Sequence, residues 1–106
     1  MTGTQPALTS AQRAFLRARA HALQPVVYVG AAGVSAAVAA AVDGALRDHE
    51  LIKVKLRVGD REARAAGIDA ICSATGATVA GRVGNVAILY RRNPQRSRIV
   101  LPRPKA

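Results

Sequence analysis

The sequence predicts a single two-layer α/β domain, and three observations lead to this prediction. The chain has 106 residues, half of them apolar, which suits one hydrophobic core. Segments whose apolar residues recur at helical spacing alternate with short strand-like segments in the order α-β-α-β-α-β-β. Successive β-α units favour parallel strands joined by right-handed crossovers, so we expect helices packed on a sheet.

The first half of the chain predicts a helix, a strand and a second helix. Thr9 and Gln12 have the spacing of a capping box, which indicates a helix over Ser10–Ala20. The narrow apolar stripe of this helix consists of Ala11, Phe15, Ala18 and Ala22. Pro25–Val29 is a continuous apolar run and is typical of a strand covered on both faces. Ser35 can cap the second helix, whose apolar residues are Val34, Val38, Val42, Ala45 and Leu46.

The second half predicts a strand, a helix and a hairpin. Residues 51–58 alternate between apolar and basic side chains, which is typical of a strand with one face in the core. The apolar ones are Ile52, Val54, Leu56 and Val58, and the basic ones are Lys53, Lys55 and Arg57. Asp60 can cap a third helix that Gly76 closes. Strands over 77–83 and 86–90 flank a two-residue turn, and a partly ordered tail follows with a short edge strand around 98–101.

The charge is strongly positive and unevenly distributed. The chain carries 16 basic and 6 acidic residues, which gives a formal net charge of +10. Twelve of the basic residues lie in residues 51–106, and no residue from Arg82 onward is acidic. A surface of one sign attracts polyanions such as nucleic acid. The alternative is that the charge serves only solubility or follows from biased codon usage, although interspersed signs are the usual solubility device.

Few residues are placed to carry catalysis or to hold a metal. His21 and His49 are isolated, Cys72 is the one cysteine, and no spacing typical of zinc ligands is present. Asp60 and Glu62 suit a helix N-terminus better than acid–base catalysis. We therefore predict no enzyme activity, no catalytic residue, no metal site and no cofactor. The lone cysteine, with no visible export signal or membrane-spanning run, leads us to expect a cytoplasmic protein that does not bind membranes.

Two features predict nucleic-acid binding. The segment Gly30-Ala31-Ala32-Gly33, the GxxG loop, allows close approach of its backbone and precedes a helix N-terminus, which suits a phosphate clamp. Lys53, Lys55 and Arg57, the basic row, suit phosphate contact. Each has an alternative reading, because a lone GxxG is often only a turn and an exposed strand face is usually polar. The chain has three aromatic residues, so a base-stacking platform is poorly supported and we expect contacts to backbone and shape.

Six segments together resemble one family. They are LTSAQ (8–12), HALQPVV (21–27), GAAG (30–33), HELIKVK (49–55), DRE (60–62) and LYR (89–91). In this order and spacing the chain resembles the YhbY-like, single-domain bacterial members of the CRM (chloroplast RNA splicing and ribosome maturation) family. The resemblance implies a mixed four-stranded sheet backed by helices, similar to the C-terminal domain of bacterial translation initiation factor three.

The resemblance also implies a function and a set of residues. The function is RNA binding through the exposed loop, in association with precursors of the large ribosomal subunit. By position, the residues involved would be Gly30, Ala31, Ala32, Gly33, Lys53, Lys55, Arg91 and Arg92. One departure is that family loops often carry polar or basic residues where this chain has two alanines, which offer only backbone N–H groups.

We therefore expect one RNA-binding domain over residues 7–103, with flexible termini at 1–6 and 104–106, acting as a monomer. The leading hypothesis is a ribosome-assembly factor that binds rRNA of the large-subunit precursor. The alternative is a general nucleic-acid-binding protein without ribosome specificity. An enzyme acting on RNA is disfavoured because the catalytic constellations are missing.

Overall fold

The computed structural model describes residues 8–30, 32–57, 59–95, 97 and 99–102; the termini predicted to be flexible lie outside them. The elements are α1 (Ser10–Ala20), β1 (Pro25–Val29), α2 (Ala36–His49), β2 (Leu51–Leu56), α3 (Arg61–Thr75), β3 (Thr78–Val83) and β4 (Val86–Tyr90). This order confirms the α/β class predicted from the sequence.

The four strands form one mixed sheet in the order β1-β2-β4-β3. β1 runs parallel to β2, as a strand-helix-strand crossover requires, and the other neighbours are antiparallel. Lys53 pairs with Ile88 and Leu51 with Tyr90, so these side chains share one face of the sheet. The four-stranded mixed sheet implied by the family resemblance is confirmed.

The helix ends lie at the residues whose side chains can cap them. Thr9 Oγ1 accepts the N–H of Gln12 and Gln12 Oε1 accepts the N–H of Thr9, both at 3.0 Å, which completes the predicted capping box. Ser35 and Asp60 cap α2 and α3 in the same way. Gly76 ends α3 in the left-handed region at φ +77°, where glycine has no steric penalty. These local signals were sufficient to predict every helix start.

The main core lies between the sheet and the two helices α2 and α3. It is built from the alternate residues of the central strands and the inner faces of both helices. Its fully buried members include Val29, Val42, Leu46, Ile52, Val54, Leu56, Ile71 and Leu89. The core-facing residues predicted for β2 are confirmed for residues 52, 54 and 56; Val58 lies outside the described residues.

The prediction of two layers needs a correction, because α1 covers the opposite face of the sheet. Leu16 and Ala20 are fully buried there in a second cluster with Leu51, Ile88 and Tyr90. The predicted apolar stripe of α1 is therefore wrong by one position. Gln12 belongs to the buried face because its side chain is fully used, donating to the carbonyl of Pro102 at 2.9 Å as well as capping the helix.

The chain after β4 is held against the fold by a buried carboxylate. Glu50 is 1% exposed; its Oε2 accepts the N–H of Asn93 and its Oε1 the N–H of Ile99, each at 3.0 Å. Residues 99–101 are irregular rather than the predicted edge strand, and residue 98 lies outside the described residues. Charge-assisted hydrogen bonds to a side chain thus replace sheet pairing in this segment.

Candidate nucleic-acid interface

Helix α1 covers only part of its side of the sheet. It packs on β3, β4 and the beginning of β2, so the outward side of β1 and the rest of β2 remain uncovered. We call this uncovered part the open face. The prediction that β1 is covered on both faces is therefore wrong: Val27 and Val29 are buried, whereas Val26 is 50% and Tyr28 56% exposed on the open face. α1 packs mainly on the β3 and β4 side of the sheet, which explains why this side of β1 reaches solvent.

The basic row lies on the open face. Lys53 and Lys55 are half-buried on β2, and Arg57 follows the strand and is exposed. Lys53 Nζ donates to the carbonyl of Leu23 at 3.0 Å, which fixes the ammonium group beside β1. None of the three is ion-paired with a described residue. Three uncompensated positive charges therefore face solvent along one strand, an arrangement that suits a chain of phosphates.

An aromatic ring lies within this positive surface. Tyr28 pairs with Lys55 in the sheet register, and the guanidinium of Arg57 lies 5.8 Å from the centre of the Tyr28 ring. This is the distance range of a cation–π contact. The sequence interpretation missed Tyr28 because it treated β1 as a buried run. The signal was the strand alternation, which places Val26 and Tyr28 together on the side opposite the two buried valines.

The GxxG loop follows the end of β1, and its first glycine, Gly30, is exposed. The N–H of Gly33 donates to the carbonyl of Gly30 at 2.9 Å, and Gly33 has φ +79°. A Cβ atom placed on either glycine would meet no heavy atom within 4 Å, so the loop backbone is open to an approaching ligand. Ala32 is exposed, and Ala31 lies outside the described residues. The loop leads directly into the Ser35 cap of α2, where helix N–H groups favour anions.

The loop and the basic row are contiguous. The N–H of Arg57 donates to the carbonyl of Val29 at 2.7 Å, so Arg57 lies beside the residue that precedes the loop. The middle of α3 lies against the same region, because a Cβ atom built on Gly67 would come within 3.2 Å of Leu56 and 3.7 Å of Val34. The beginning of α3 carries two further basic residues that the sequence interpretation did not select, Arg61 and Arg64. Parallel pairing of β1 with β2 is what joins these segments at one edge.

Arg91 and Arg92 lie at the other end of the sheet. Arg91 follows Tyr90, which pairs with the first residue of β2, whereas the loop follows the end of β1. The length of β2 puts about 20 Å between the two groups. The guanidinium group of Arg91 is also hydrogen-bonded within the fold: its Nη1 lies 2.6 Å from Asp43 Oδ1 and 2.8 Å from the carbonyl of Thr75. The structure thus brings the loop and the basic row together and leaves these two arginines apart.

Two concave regions flank the open face. A groove of about 470 Å³ lies between the end of α1 and the middle of β2, lined by Arg17, His21 and Lys53 among others. A second of about 390 Å³, near the beginning of β2, includes Arg19, Val26 and His49. Both are lined by basic or imidazole side chains together with apolar ones.

Other chemistry finds little support in the described residues. They include no group of three or more histidine, cysteine, aspartate or glutamate side chains placed to hold a metal ion. No helix that the structure describes has the length and hydropathy to cross a bilayer. The Cys72 thiol is half-buried, and burial, together with the nearby charge of Asp69, raises its pKa. A raised pKa keeps the thiol protonated and a poor nucleophile at neutral pH.

Comparisons with known proteins identify the family and agree with the fold. A family model described as the CRS1 / YhbY (CRM) domain matches residues 8–91. An RNA-binding protein of Haemophilus influenzae is 41% identical over 96 residues, which cover 91% of this chain and 96% of that protein. A protein of Pseudomonas aeruginosa named as a probable RNA-binding protein is 38% identical over 89 residues, covering 84% of this chain and 86% of the relative.

A similar fold has been solved. The solution structure of a hypothetical protein from Staphylococcus aureus superposes with a TM-score of 0.79 at 26% sequence identity. The match covers 91% of this chain and all of that chain. The architecture described above therefore has a counterpart determined in solution.

Proposed function

The chain belongs to the CRS1 / YhbY (CRM) domain family, and we propose on this premise that it binds RNA through the GxxG loop and the basic row. The family and the relatives it matches are RNA-binding proteins and not enzymes, so this chain is not an enzyme. The observation that carries the proposal is the contact between Arg57 and Val29, which joins an open glycine loop to a row of unpaired cations.

The geometry suits binding to a nucleic-acid backbone. Counterion release from phosphates supplies most of the affinity of such a surface and makes it depend on salt. The loop lets a ligand backbone come close, because a Cβ atom built on Gly30 or Gly33 would meet no described atom within 4 Å beyond the chain neighbours. Neither feature reads base identity. The surface therefore favours recognition of RNA shape over sequence.

The proposed target is rRNA in a precursor of the large ribosomal subunit, which makes the protein a ribosome-assembly factor. The support for this target is the resemblance carried by the GAAG and HELIKVK segments together. A cytoplasmic location and a monomeric state are parts of the same proposal. The domain is proposed to extend over residues 7–103, beyond the family match, because Glu50 and Gln12 hold the tail to the fold.

The test of the target is cross-linking in cells followed by sequencing of the attached RNA, together with sedimentation of the protein. We expect cross-links concentrated in large-subunit rRNA and co-sedimentation with particles lighter than the mature subunit. Cross-links spread over unrelated RNAs, with no protein in ribosomal fractions, would reject the ribosomal role. They would leave RNA binding itself in place.

A general nucleic-acid binder is the second candidate. It is favoured by the chemistry of the basic row, because lysine contacts to phosphate do not distinguish RNA from DNA. Binding of structured RNA and of duplex DNA at equal salt separates the candidates. The proposal predicts tighter binding to RNA, and equal affinities would support the general binder.

A further inference from the structure

We propose that Tyr28 and Arg57 form a stacking platform for one unpaired base, so that the RNA bound here is single-stranded next to the GxxG loop. This inference rests on the proposed function and specifies the RNA as one that has an unpaired nucleotide at this site. Tyr28 is 56% exposed, whereas Tyr90 is 3% exposed beneath α1. An exposed ring on a folded surface supplies a face on which a base can stack, whatever its identity.

The surroundings of the ring match a nucleotide rather than an apolar partner. Arg57 lies 5.8 Å from the ring centre, and Lys55 stands opposite Tyr28 on the neighbouring strand. A protein partner would be expected to cover an aromatic residue with apolar groups. Here two cations lie beside the ring, which suits a ligand that carries a flat aromatic group and a negative charge on the same unit.

The position of Tyr28 relative to the loop sets the geometry of the ligand. Tyr28 lies two residues before Gly30 at the end of an extended strand, so about 7 Å separates the Cα atoms of the two residues. One nucleotide can span this distance, with its base on Tyr28 and its phosphate at the loop or at Arg57. Bases in an A-form duplex are paired and inaccessible to such a ring. The platform therefore requires an unpaired nucleotide, as in a bulge, loop or single-stranded end.

The first test compares two RNAs and three variants. The RNAs are a fully paired duplex and the same duplex with one strand region left unpaired. Tyr28→Leu removes the ring but keeps an apolar side chain, Tyr28→Phe keeps the ring, and Val26→Ala is the matched control on the same strand face. We expect Tyr28→Leu to lose about tenfold in affinity for the unpaired RNA and to bind the duplex like the wild type. Tyr28→Phe and Val26→Ala should bind both RNAs like the wild type.

The outcomes separate this inference from the proposed function. If the wild type binds the unpaired RNA and Tyr28→Leu binds it equally well, the platform is rejected and RNA binding stands. If the wild type binds neither RNA, the proposed function fails, and the platform fails with it. An equal loss by Tyr28→Leu on both RNAs would also overturn the platform, because a stacking role affects only the unpaired ligand.

A spectroscopic measurement observes the ring directly. The chain has no tryptophan and two tyrosines, so in a Tyr90→Phe background the tyrosine fluorescence comes from Tyr28 alone. We expect quenching when the unpaired RNA binds and none when the duplex binds. Unchanged fluorescence at saturating unpaired RNA would contradict stacking on Tyr28.

Discussion

Arg91 Nη1 lies 2.6 Å from Asp43 Oδ1, and this contact joins the end of β4 to the middle of α2. The Arg91 side chain is 20% exposed and also donates to the carbonyls of Thr75 and Asp43. A guanidinium used in this way stabilises the fold and has few donors left for a phosphate. The family resemblance places Arg91 in the RNA-binding set, and the structure gives it a second role that can be measured.

Replacing Arg91 with alanine tests which role dominates. We expect the free energy of unfolding to fall by about 2 kcal/mol, because two carbonyls and a carboxylate lose their donor. RNA affinity, measured well below the melting temperature, should change by less than about twofold. Urea unfolding and a binding titration on the same protein check both values. A variant of wild-type stability with much weaker binding would show that Arg91 contacts RNA.

The Asp43 carboxylate predicts a pH dependence. Its hydrogen bond with Arg91, and to a smaller extent that with Arg47, lowers the pKa of Asp43 below its usual 3.8 in the folded state. The ionised form therefore contributes stability above the unfolded pKa and loses it as the pH falls through the folded pKa. Because Asp43 is 40% exposed, we expect Asp43→Asn to cost only about 1 kcal/mol at pH 7. The difference from wild type should shrink toward pH 3, and a difference independent of pH would contradict this account.

The buried Glu50 predicts a large effect on the chain after β4. Glu50→Ala leaves the N–H groups of Asn93 and Ile99 without their acceptor, so we expect a loss of about 3 kcal/mol and faster proteolysis after residue 92. Glu50→Gln, the matched control, keeps one acceptor oxygen and should lose less. Limited proteolysis followed by mass spectrometry locates the cleavage. Equal resistance of Glu50→Ala and wild type would show that the tail is held by other contacts.

Alanine substitutions at the two glycines of the loop should have different effects on stability and on RNA affinity. A methyl group on Gly30 meets no heavy atom within 4 Å, so Gly30→Ala should keep wild-type stability. If the RNA backbone approaches the loop, the methyl group should weaken binding by about tenfold, or roughly 1.4 kcal/mol. Gly33→Ala should instead lose about 1 kcal/mol of stability, because φ +79° strains any residue with a Cβ atom. Unchanged RNA affinity of Gly30→Ala would remove the loop from the interface.

The positions of the helices and strands could be predicted from the sequence. Which side of each helix or strand is buried could not be predicted in every case. Capping residues and turn glycines act locally, so the helix starts at Ser10 and Arg61 and the hairpin after β3 could be predicted. The buried side of α1 could not be predicted, because it depends on which face of the sheet the helix covers. It also depends on the distant carbonyl of Pro102, which accepts a hydrogen bond from the Gln12 side chain. Local spacing favoured Phe15, which packs only at the border of this cluster, whereas Leu16 is fully buried in it.

The candidate site shows the same division. The GxxG loop and the alternation of Lys53 and Lys55 were visible in the sequence. The exposure of Tyr28 was not predicted, because it depends on which strands α1 covers, and that follows from the strand order of the whole sheet. The ion pair of Arg91 could not be predicted either, since its partner Asp43 lies 48 residues away in the chain.

The most direct test of the central claim is the salt dependence of RNA binding by the Lys53→Gln/Lys55→Gln variant. Its matched control is Arg47→Gln/Arg82→Gln, which removes the same charge from two exposed residues outside the open face. Each lost phosphate contact should reduce the slope of log affinity against log salt by about 0.7 to 0.9, so the double lysine variant should lose about 1.5. The control should keep the wild-type slope. An unchanged slope in the lysine variant, or an equal loss in both, would contradict the proposed interface.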